Sequence, residues 1–343
     1  MNEMKNGYKA DESPLVSAVI TTHNRLGYLK LAIKSVLDQT YQNMELIVVN
    51  DNSGQDTIDY LDKLQEQLPS FTHIDISAAE TKGGNYARNQ GIKAAKGKYV
   101  AFLDDDDEWL PEKIEKQVNL FREGVGFVYC GKYNEINDGV HEKYVVEKKV
   151  DPTYLGDLSQ LAFTKIFCVT SAMVIERAVL EEIGGFDENL RFWQETELCI
   201  RVCQVTKVDA VKEQLVFFRI NVTDTNRLTN KYDGWIEAVD QINRKHKKLI
   251  EQLPKSYKKQ RQLMVLQDKI GRLETCGRLR EARKIRYEKW KITKDMKDLL
   301  RYILNRSVII DKNNKLSGGG YSKLVLIPVR ISTSGYMERL AYA

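Results

Sequence analysis

Apolar and polar residues alternate in blocks over the first third of the chain. Four short apolar runs predict buried strands, at residues 16–20, 44–49, 73–76 and 99–103. The segments between them carry apolar residues at helical spacing, at 27–39, 57–67 and 84–95. Strands that alternate with helices are typical of a mainly parallel sheet with helices on both faces. The pattern therefore predicts a Rossmann-like α/β fold.

Polar clusters follow three of the predicted strands. Residues 21–25 read Thr-Thr-His-Asn-Arg, residues 50–53 read Asn-Asp-Asn-Ser, and residues 104–107 are four aspartates. In open parallel sheets, ligands bind outside the carboxyl ends of the strands. We therefore expect the three clusters to meet in one crevice.

The four aspartates, Asp104 to Asp107, allow two interpretations. Adjacent carboxylates repel one another unless a cation or hydrogen-bond donors neutralise them, and Mg²⁺ and Mn²⁺ prefer oxygen ligands. The cluster is therefore either a divalent metal site or a solvated acidic turn that caps the next helix. The chain lacks the glycine-rich loops of dinucleotide and nucleoside triphosphate sites, so a bound phosphate would need a metal to neutralise it.

The composition is that of a soluble protein with a large core. The 343 residues are 42% hydrophobic, and no apolar stretch approaches the roughly 20 residues that span a bilayer. The polar N-terminus does not resemble a signal peptide, so a cytoplasmic location is expected. Five cysteines without metal-site spacing fit reduced thiols. Of these, Cys199 and Cys203 lie one helical turn apart and are expected in the core.

The net charge of +5 conceals an uneven distribution. Residues 1–240 contain 27 basic and 39 acidic side chains, whereas residues 241–343 contain 26 and 9. The basic residues alternate with apolar ones at helical spacing. Such helices either bind an anionic membrane surface or an acidic partner, or form a subdomain with a solvated basic face. The predicted parts are a polar segment (1–14), an α/β domain (15–232) and a basic helical region (233–343).

Five segments resemble family-2 glycosyltransferases with the GT-A fold. They follow the order and spacing of that family and lie at 19–25, 46–53, 87–91, 97–107 and 184–188. The resemblance extends from Leu15 to Arg227 and leaves the basic region outside. It implies a GT-A domain with a basic C-terminal helical extension, and an inverting enzyme that transfers a sugar from a nucleotide to an acceptor hydroxyl.

The resemblance also implies which residues hold the donor. Asp51 can accept a hydrogen bond from the imide N–H of uracil, which favours a UDP-sugar. Asp104 and Asp106 match the family's Asp-x-Asp pair and would bind Mn²⁺ or Mg²⁺, with Asp105 between them. The other residues expected at the nucleotide-sugar are Thr21, His23, Arg25, Arg88 and Arg219.

The general base is expected in a motif that departs from the family pattern. Gln194 stands where the family has a glutamate, and the next position, Glu195, is the assigned base, with Glu197 as the alternative. Both acids could instead only stabilise a helix N-terminus. Asn221 replaces a family histidine and would bind Mn²⁺ more weakly. The residues expected on the acceptor side are Thr170, Ser171 and Asp187, although Asp187 could instead only support the turn after Gly184 and Gly185.

The predicted reaction is metal-assisted inverting transfer from a UDP-sugar to a saccharide or lipid-linked glycan in surface polysaccharide synthesis. The enzyme would act in the cytoplasm or at the inner face of the membrane. Two alternatives stay open: a sugar nucleotidyltransferase, which would need a glycine-rich loop after the first strand, and a non-catalytic protein that binds nucleotide-sugars or anionic polymers. A nucleic-acid partner is not expected, because the acidic body would repel phosphate.

Overall fold

We describe the protein from a computed structural model. The described residues are 13–76, 80–137, 142–146, 154–221 and 231–304, with three short strands at 308–310, 316–318 and 327–328. Most of the predicted N-terminal segment, residues 1–12, lies outside this part.

The sheet is built on four parallel strands. They are β1 (Val16–Thr22), β2 (Met44–Asn50), β3 (Phe71–Asp75) and β4 (Tyr99–Asp104), in the order β3-β2-β1-β4. The helices between them are α1 (Leu26–Leu37), α2 (Gln55–Gln67) and α3 (Gly84–Ala94). The predicted alternation is confirmed, and element ends differ from the prediction by at most two residues.

Beyond β4 the sheet becomes mixed. The further strands are β5 (Glu108–Trp109), β6 (Val125–Asn137), β7 (Glu142–Val146), β8 (Met173–Glu176), β9 (Lys207–Asn221) and β12 (Ile327–Pro328). Strand β8 pairs antiparallel with both β4 and β6, and β9 runs parallel to β6. Strand β5 pairs with β9, which brings the segment after the aspartates against the end of β9. A separate two-stranded antiparallel sheet consists of β10 (Val308–Ile310) and β11 (Leu316–Gly318).

Each face of the sheet is covered by its own apolar core, because successive strand residues point to opposite faces. Val19 and Phe102 join one core, which also contains the predicted core residue Cys199. Their neighbours Ile20 and Leu103 join the other core, beneath α1. The helices beside the later strands are α4 (Lys113–Val118), α5 (Arg177–Ile183) and α6 (Gln194–Val205).

The C-terminal region is helical, as predicted. Its helices are α7 (Tyr232–Lys245), α8 (Lys247–Gln252), α9 (Lys255–Thr275), α10 (Leu279–Thr293) and α11 (Met296–Leu304). Helix α7 buries Trp235 and Ile242 in the core that contains Val19, so this helix packs as part of the α/β body. The domain division at residue 232 stays a prediction. Every helix in the described ranges is too short or too polar to cross a bilayer.

Candidate active site

The carboxyl ends of β1, β2 and β4 line an open cleft of about 380 Å³. Its lining residues are Thr21, Thr22, His23, Arg25, Asp51, Gly84, Ala87, Arg88, Asp104, Asp105 and Asp106. Eight of these were predicted from the sequence to hold the donor or the metal. The structure therefore brings the three polar clusters together, while their binding roles stay predictions.

The loops after β1 and β2 are held together by hydrogen bonds. Asn24 has a φ of +53°, a left-handed conformation that asparagine tolerates better than most residues. Its backbone N–H donates to Ser53 Oγ (2.9 Å), and its Oδ1 accepts from the Gly54 N–H (3.0 Å). A ring nitrogen of His23 lies 2.7 Å from the Asp51 carbonyl oxygen. These contacts fix His23 beside Asp51 without a ligand.

Asp51 is buried at the cleft and accepts two backbone hydrogen bonds. The Lys82 N–H donates to Oδ1 (2.9 Å) and the Gly83 N–H donates to Oδ2 (2.7 Å). Gly83 has a φ of +92°, which favours glycine at this turn. Each carboxylate oxygen can still accept a second hydrogen bond. Asp51 is thus held rigidly with acceptor capacity left for a ligand.

Two of the aspartates share the guanidinium of Arg25. Its Nη1 lies 3.2 Å from Asp105 Oδ1 and 2.9 Å from Asp106 Oδ2. Thr22 Oγ1 also donates to Asp105 (2.8 Å), a contact that sequence reasoning missed although Thr22 stands at a strand end. Burial raises the pKa of Asp105 to about 6, and the charge of Asp106 adds to the increase. Negative charge is therefore incompletely neutralised here.

Arg88 joins the aspartates to the start of α6. Its Nη2 donates to Asp104 Oδ1 (2.6 Å) and its Nη1 donates to Gln194 Oε1 (3.0 Å). Arg88 reaches this place because α3 packs closely on β1: a Cβ on Gly91 would lie 2.3 Å from Val19 Cγ1. The guanidinium is largely buried, so these contacts are shielded from water.

Asp107 and Ser171 lie beneath the aspartate cluster. Ser171 Oγ donates to Asp107 (2.5 Å) and accepts from the Asp104 N–H (3.1 Å). Ser171 was expected to face an acceptor. It is instead fully buried and supports the aspartate loop. Asp187 is also occupied, because it pairs with Lys245 (2.6 Å).

Arg219 is expected from the sequence to contact the diphosphate, and this role stays a prediction. Its guanidinium pairs with Glu108 and with Glu135 (3.3 Å), and it donates to the Asp106 carbonyl oxygen (3.2 Å). Its backbone N–H donates to Asp107 Oδ1 (3.0 Å). Arg219 does not line the cleft. Through these contacts Arg219 connects β9 to the aspartate loop.

Glu195 lies half-buried in the first turn of α6, directly after Gln194. Burial raises its pKa, and the charge of Asp104 acts in the same direction against the opposing charge of Arg88. Among the described residues, no side chain donates a hydrogen bond to its carboxylate. A carboxylate with a raised pKa and no bound donor is suited to accept a proton.

Glu197 has the opposite environment, with 0% of its side chain exposed. Arg201 binds both carboxylate oxygens (2.9 and 2.7 Å), and Lys245 (2.8 Å) and His246 (3.0 Å) bind Oε1. Despite burial, these donors lower its pKa to about 2. This carboxylate connects α6 to Lys245 at the end of α7 and to His246, which follows α7. The arrangement gives no support to its alternative role as base.

The donor set at the cleft fits a hard divalent cation. Asp104, Asp105 and Asp106 provide carboxylate oxygens beside the guanidinium groups of Arg25 and Arg88. Within the described ranges, no three His, Cys, Asp or Glu side chains are arranged to hold an ion by themselves. A metal here would therefore also need oxygen atoms from a ligand.

Residues 17–184 match the family model described as glycosyl transferase family 2. An uncharacterised glycosyltransferase of Rickettsia prowazekii is 34% identical over 238 residues, covering 65% of this chain and 71% of that protein. The UDP-Glc:alpha-D-GlcNAc-diphosphoundecaprenol beta-1,3-glucosyltransferase WfaP of Escherichia coli is 38% identical over 172 residues, covering 50% of this chain and 64% of WfaP.

The fold is similar to that of S. aureus TarS (residues 1–349) in complex with UDP-GlcNAc. The TM-score is 0.51 at 14% identity, with 91% of this chain and 98% of TarS covered. At this identity the similarity concerns the fold alone. The named relatives favour a glycosyltransferase over the nucleotidyltransferase and the non-catalytic binding protein that the sequence left open. This chain is a glycosyltransferase of family 2, with the mixed α/β architecture of GT-A enzymes.

Proposed function

We propose that the protein transfers a sugar from a UDP-sugar to an acceptor hydroxyl, with inversion at the anomeric carbon. The observation that carries this proposal is the double contact of Arg88 with Asp104 and Gln194. One guanidinium thereby connects the aspartates of the donor cleft to the helix that carries Glu195. The donor cleft and the helix that carries the proposed base are thereby held together, as a direct displacement requires.

The nucleotide is proposed to bind between the loops after β1 and β2. Asp51, fixed by two backbone donors, accepts from the imide N–H of uracil through its remaining acceptor capacity. His23 lies beside it, with Thr21 and Arg25 toward the ribose and the phosphates. The UDP-GlcNAc complex of TarS, which shares the fold, supports the choice of a UDP-sugar.

Asp104 and Asp106 are the proposed ligands of Mg²⁺ or Mn²⁺. When bound, such a cation neutralises the diphosphate and stabilises UDP as a leaving group. Arg88 holds the Asp104 carboxylate in place. Asp105, held by Thr22 and Arg25, keeps the loop between the two ligands fixed.

Glu195 is the proposed general base. It takes the proton from the acceptor hydroxyl as that oxygen bonds to the anomeric carbon and the bond to the β-phosphate oxygen of UDP breaks. Its raised pKa makes it a stronger proton acceptor than an ordinary glutamate. Glu197 does not take part in this step in our proposal, because three basic side chains already bind it.

The acceptor is proposed to be a saccharide, free or linked to a lipid diphosphate, in the synthesis of a surface polysaccharide. Support comes from WfaP, whose name specifies a GlcNAc-diphosphoundecaprenol acceptor. We place the reaction at the cytoplasmic face of the membrane, where a water-soluble donor and a lipid-linked acceptor can meet.

The test is UDP release from a panel of UDP-sugars by the purified full chain, with Mn²⁺ or Mg²⁺ and with chelator, in the presence of a bacterial lipid extract. We expect one donor to support metal-dependent release that Glu195→Gln abolishes. Glu45→Gln, at an acid that contacts Ser17 far from the cleft, is the matched control. If Glu195→Gln turns over like the wild type, the proposed base is wrong. If no nucleotide-sugar binds, the proposed donor is wrong.

A further inference from the structure

Exposed apolar side chains are concentrated on α10 and α11. Ten large apolar side chains are exposed in the described part of the chain, and half of them lie within residues 279–303. These five are Leu279, Tyr287, Met296, Leu300 and Ile303. Contiguous exposed apolar patches are uncommon on soluble proteins and mark interaction sites.

Helix α11 presents a continuous apolar stripe outward. Met296, Leu300 and Ile303 follow the i, i+4, i+7 spacing that places side chains on one helix face, and they are 62%, 48% and 54% exposed. On another face, Asp298 accepts hydrogen bonds from Lys289 (3.1 Å) and from Thr293 (3.0 Å). These buried contacts fix the rotation of the helix, so the apolar stripe stays outward.

An aromatic cluster lies between the two helices. The ring centroid of Tyr287 is 5.6 Å from that of Trp290 and 5.1 Å from that of Tyr302. The ammonium groups of Lys291 and Lys294 lie over the rings of Tyr287 and Trp290, at 5.3 and 4.8 Å. Tyrosine and tryptophan are enriched where a protein meets the lipid headgroups, and lysine stems extend from there toward phosphate.

The charge of this surface is strongly positive. Residues 279–304 contain nine lysines and arginines but four aspartates and glutamates. Three of those acids are paired: Asp298 with Lys289 (3.1 Å), Glu288 with Lys291 (2.6 Å) and Glu281 with Arg278 (2.7 Å). The excess positive charge would repel a second copy of the same surface and attract anionic headgroups.

We propose that α10 and α11 form an interfacial surface that binds an anionic membrane, with Met296, Leu300 and Ile303 inserted at the headgroup boundary. Exposed apolar residues, an aromatic cluster and excess lysines together are the pattern of a helix that lies in the membrane surface. The inference rests on the proposed function only in the reason for membrane binding, which is that it would bring the cleft to a lipid-linked acceptor. Lipid binding itself can be measured without any donor sugar.

Intrinsic fluorescence offers a direct test. Of the four tryptophans, Trp109, Trp193 and Trp235 are buried, so Trp290 alone is placed to sense lipid. We expect vesicles of phosphatidylglycerol and phosphatidylcholine to shift its emission to shorter wavelength, and brominated lipid to quench it. Vesicles of phosphatidylcholine alone should need at least a tenfold higher lipid concentration for the same emission shift. Trp290→Phe should remove the response.

Sedimentation with the same vesicles tests the residues. Leu300→Ser with Ile303→Ser should weaken binding by at least tenfold, because the inserted apolar area is lost. Leu31→Ser with Leu37→Ser, at comparably exposed positions on α1, is the matched control and should bind like the wild type. Lys294→Gln with Lys297→Gln should weaken binding roughly fivefold per charge at low salt. Because both lysines are exposed, their substitution should not disturb folding. This variant therefore tests the proposal even if the apolar variant fails to fold.

Wild-type protein that does not bind the anionic vesicles, or Leu300→Ser/Ile303→Ser protein that binds them undiminished, would overturn the proposal. A wild-type dimer that this double variant dissociates would show that a second copy covers the stripe, and would also overturn it. Failure of the proposed function is distinguishable: the wild type would then bind vesicles yet bind no UDP-sugar.

Discussion

The indole N–H of Trp193 donates a hydrogen bond to the carboxylate of Asp268, at 3.0 Å. Trp193 directly precedes α6 in a left-handed conformation, with a φ of +53°, whereas Asp268 lies on α9. Arg272 holds the same carboxylate, at 3.1 Å. Because a left-handed non-glycine residue costs about 1–2 kcal/mol, its surroundings must hold it in place. The basic helical region thus helps to position the helix that carries Glu195.

Asp268→Ala should lower kcat by about tenfold and change the KM for the donor less than twofold. The reason is that the variant frees Trp193 and loosens the position of Glu195, while the donor cleft is untouched. Steady-state kinetics measures the split. Asp240→Ala, at an exposed acid on α7, is the control. Equal losses in kcat with both variants would argue against a positioning role.

Arg88→Ala should weaken donor binding and reduce turnover by about a hundredfold in kcat/KM. The change removes the contacts to Asp104 and Gln194 and leaves buried carboxylate charge without its partner. Arg88→Lys should restore little, since an ammonium cannot make both directed contacts. Isothermal titration with UDP measures binding. Arg122→Ala, at an exposed arginine paired with Asp209, should bind UDP normally.

Glu195→Gln should reduce turnover by about 10²–10⁴-fold while UDP affinity stays within twofold of wild type. In the wild type, activity should rise with pH through a pKa above the ordinary glutamate range, because the base works deprotonated and burial raises its pKa. The same raised pKa means that ionised Glu195 destabilises the fold as pH rises through it. Glu195→Gln should therefore not lower Tm at pH 7, and a large fall in Tm would contradict the proposed role.

Glu197→Gln should destabilise the fold by about 3 kcal/mol at pH 7, because it leaves three basic groups without their buried partner. The folded pKa of about 2 lies below the ordinary value of 4.5. The ion pair therefore stabilises the protein above pH 4.5, and this contribution is lost as pH falls toward 2. Urea unfolding of the wild type and the variant at pH 7 and pH 3.5 measures the loss of stability and its dependence on pH. The variant should differ less from wild type at pH 3.5.

Mn²⁺ added together with UDP should raise Tm by about 2 °C or more above the value with UDP alone, and chelator should reverse the increase. A bound cation would neutralise carboxylates that share the two guanidinium groups of Arg25 and Arg88. Asp106→Asn should abolish the response in a thermal melt, whereas Asp59→Asn on α2 should keep it. A Tm that is unchanged by Mn²⁺ both alone and with UDP would rule out the proposed metal site.

The sheet and the place of the cleft follow from local features of the sequence. Alternating apolar blocks define strands and helices locally, and parallel strands present their carboxyl ends at one edge. Asp51, Asp104 and Asp106 follow such strands directly, so their meeting could be predicted without coordinates. Only each residue's distance from a strand end was needed.

The surroundings of each acid and each arginine depend on how distant segments pack together. Glu195 and Glu197 are two residues apart in one helix, yet their surroundings differ. Among the described residues, no side chain donates a hydrogen bond to Glu195, whereas Glu197 is bound by Arg201 of α6, by Lys245 of α7 and by His246, which follows α7. Arg219 is occupied by Glu108 and Glu135, and Trp193 is held by Asp268. These partners are distant along the chain, and only packing brings them together. A carboxylate's pKa depends on burial and neighbouring charge, so residue type alone could not distinguish the two glutamates.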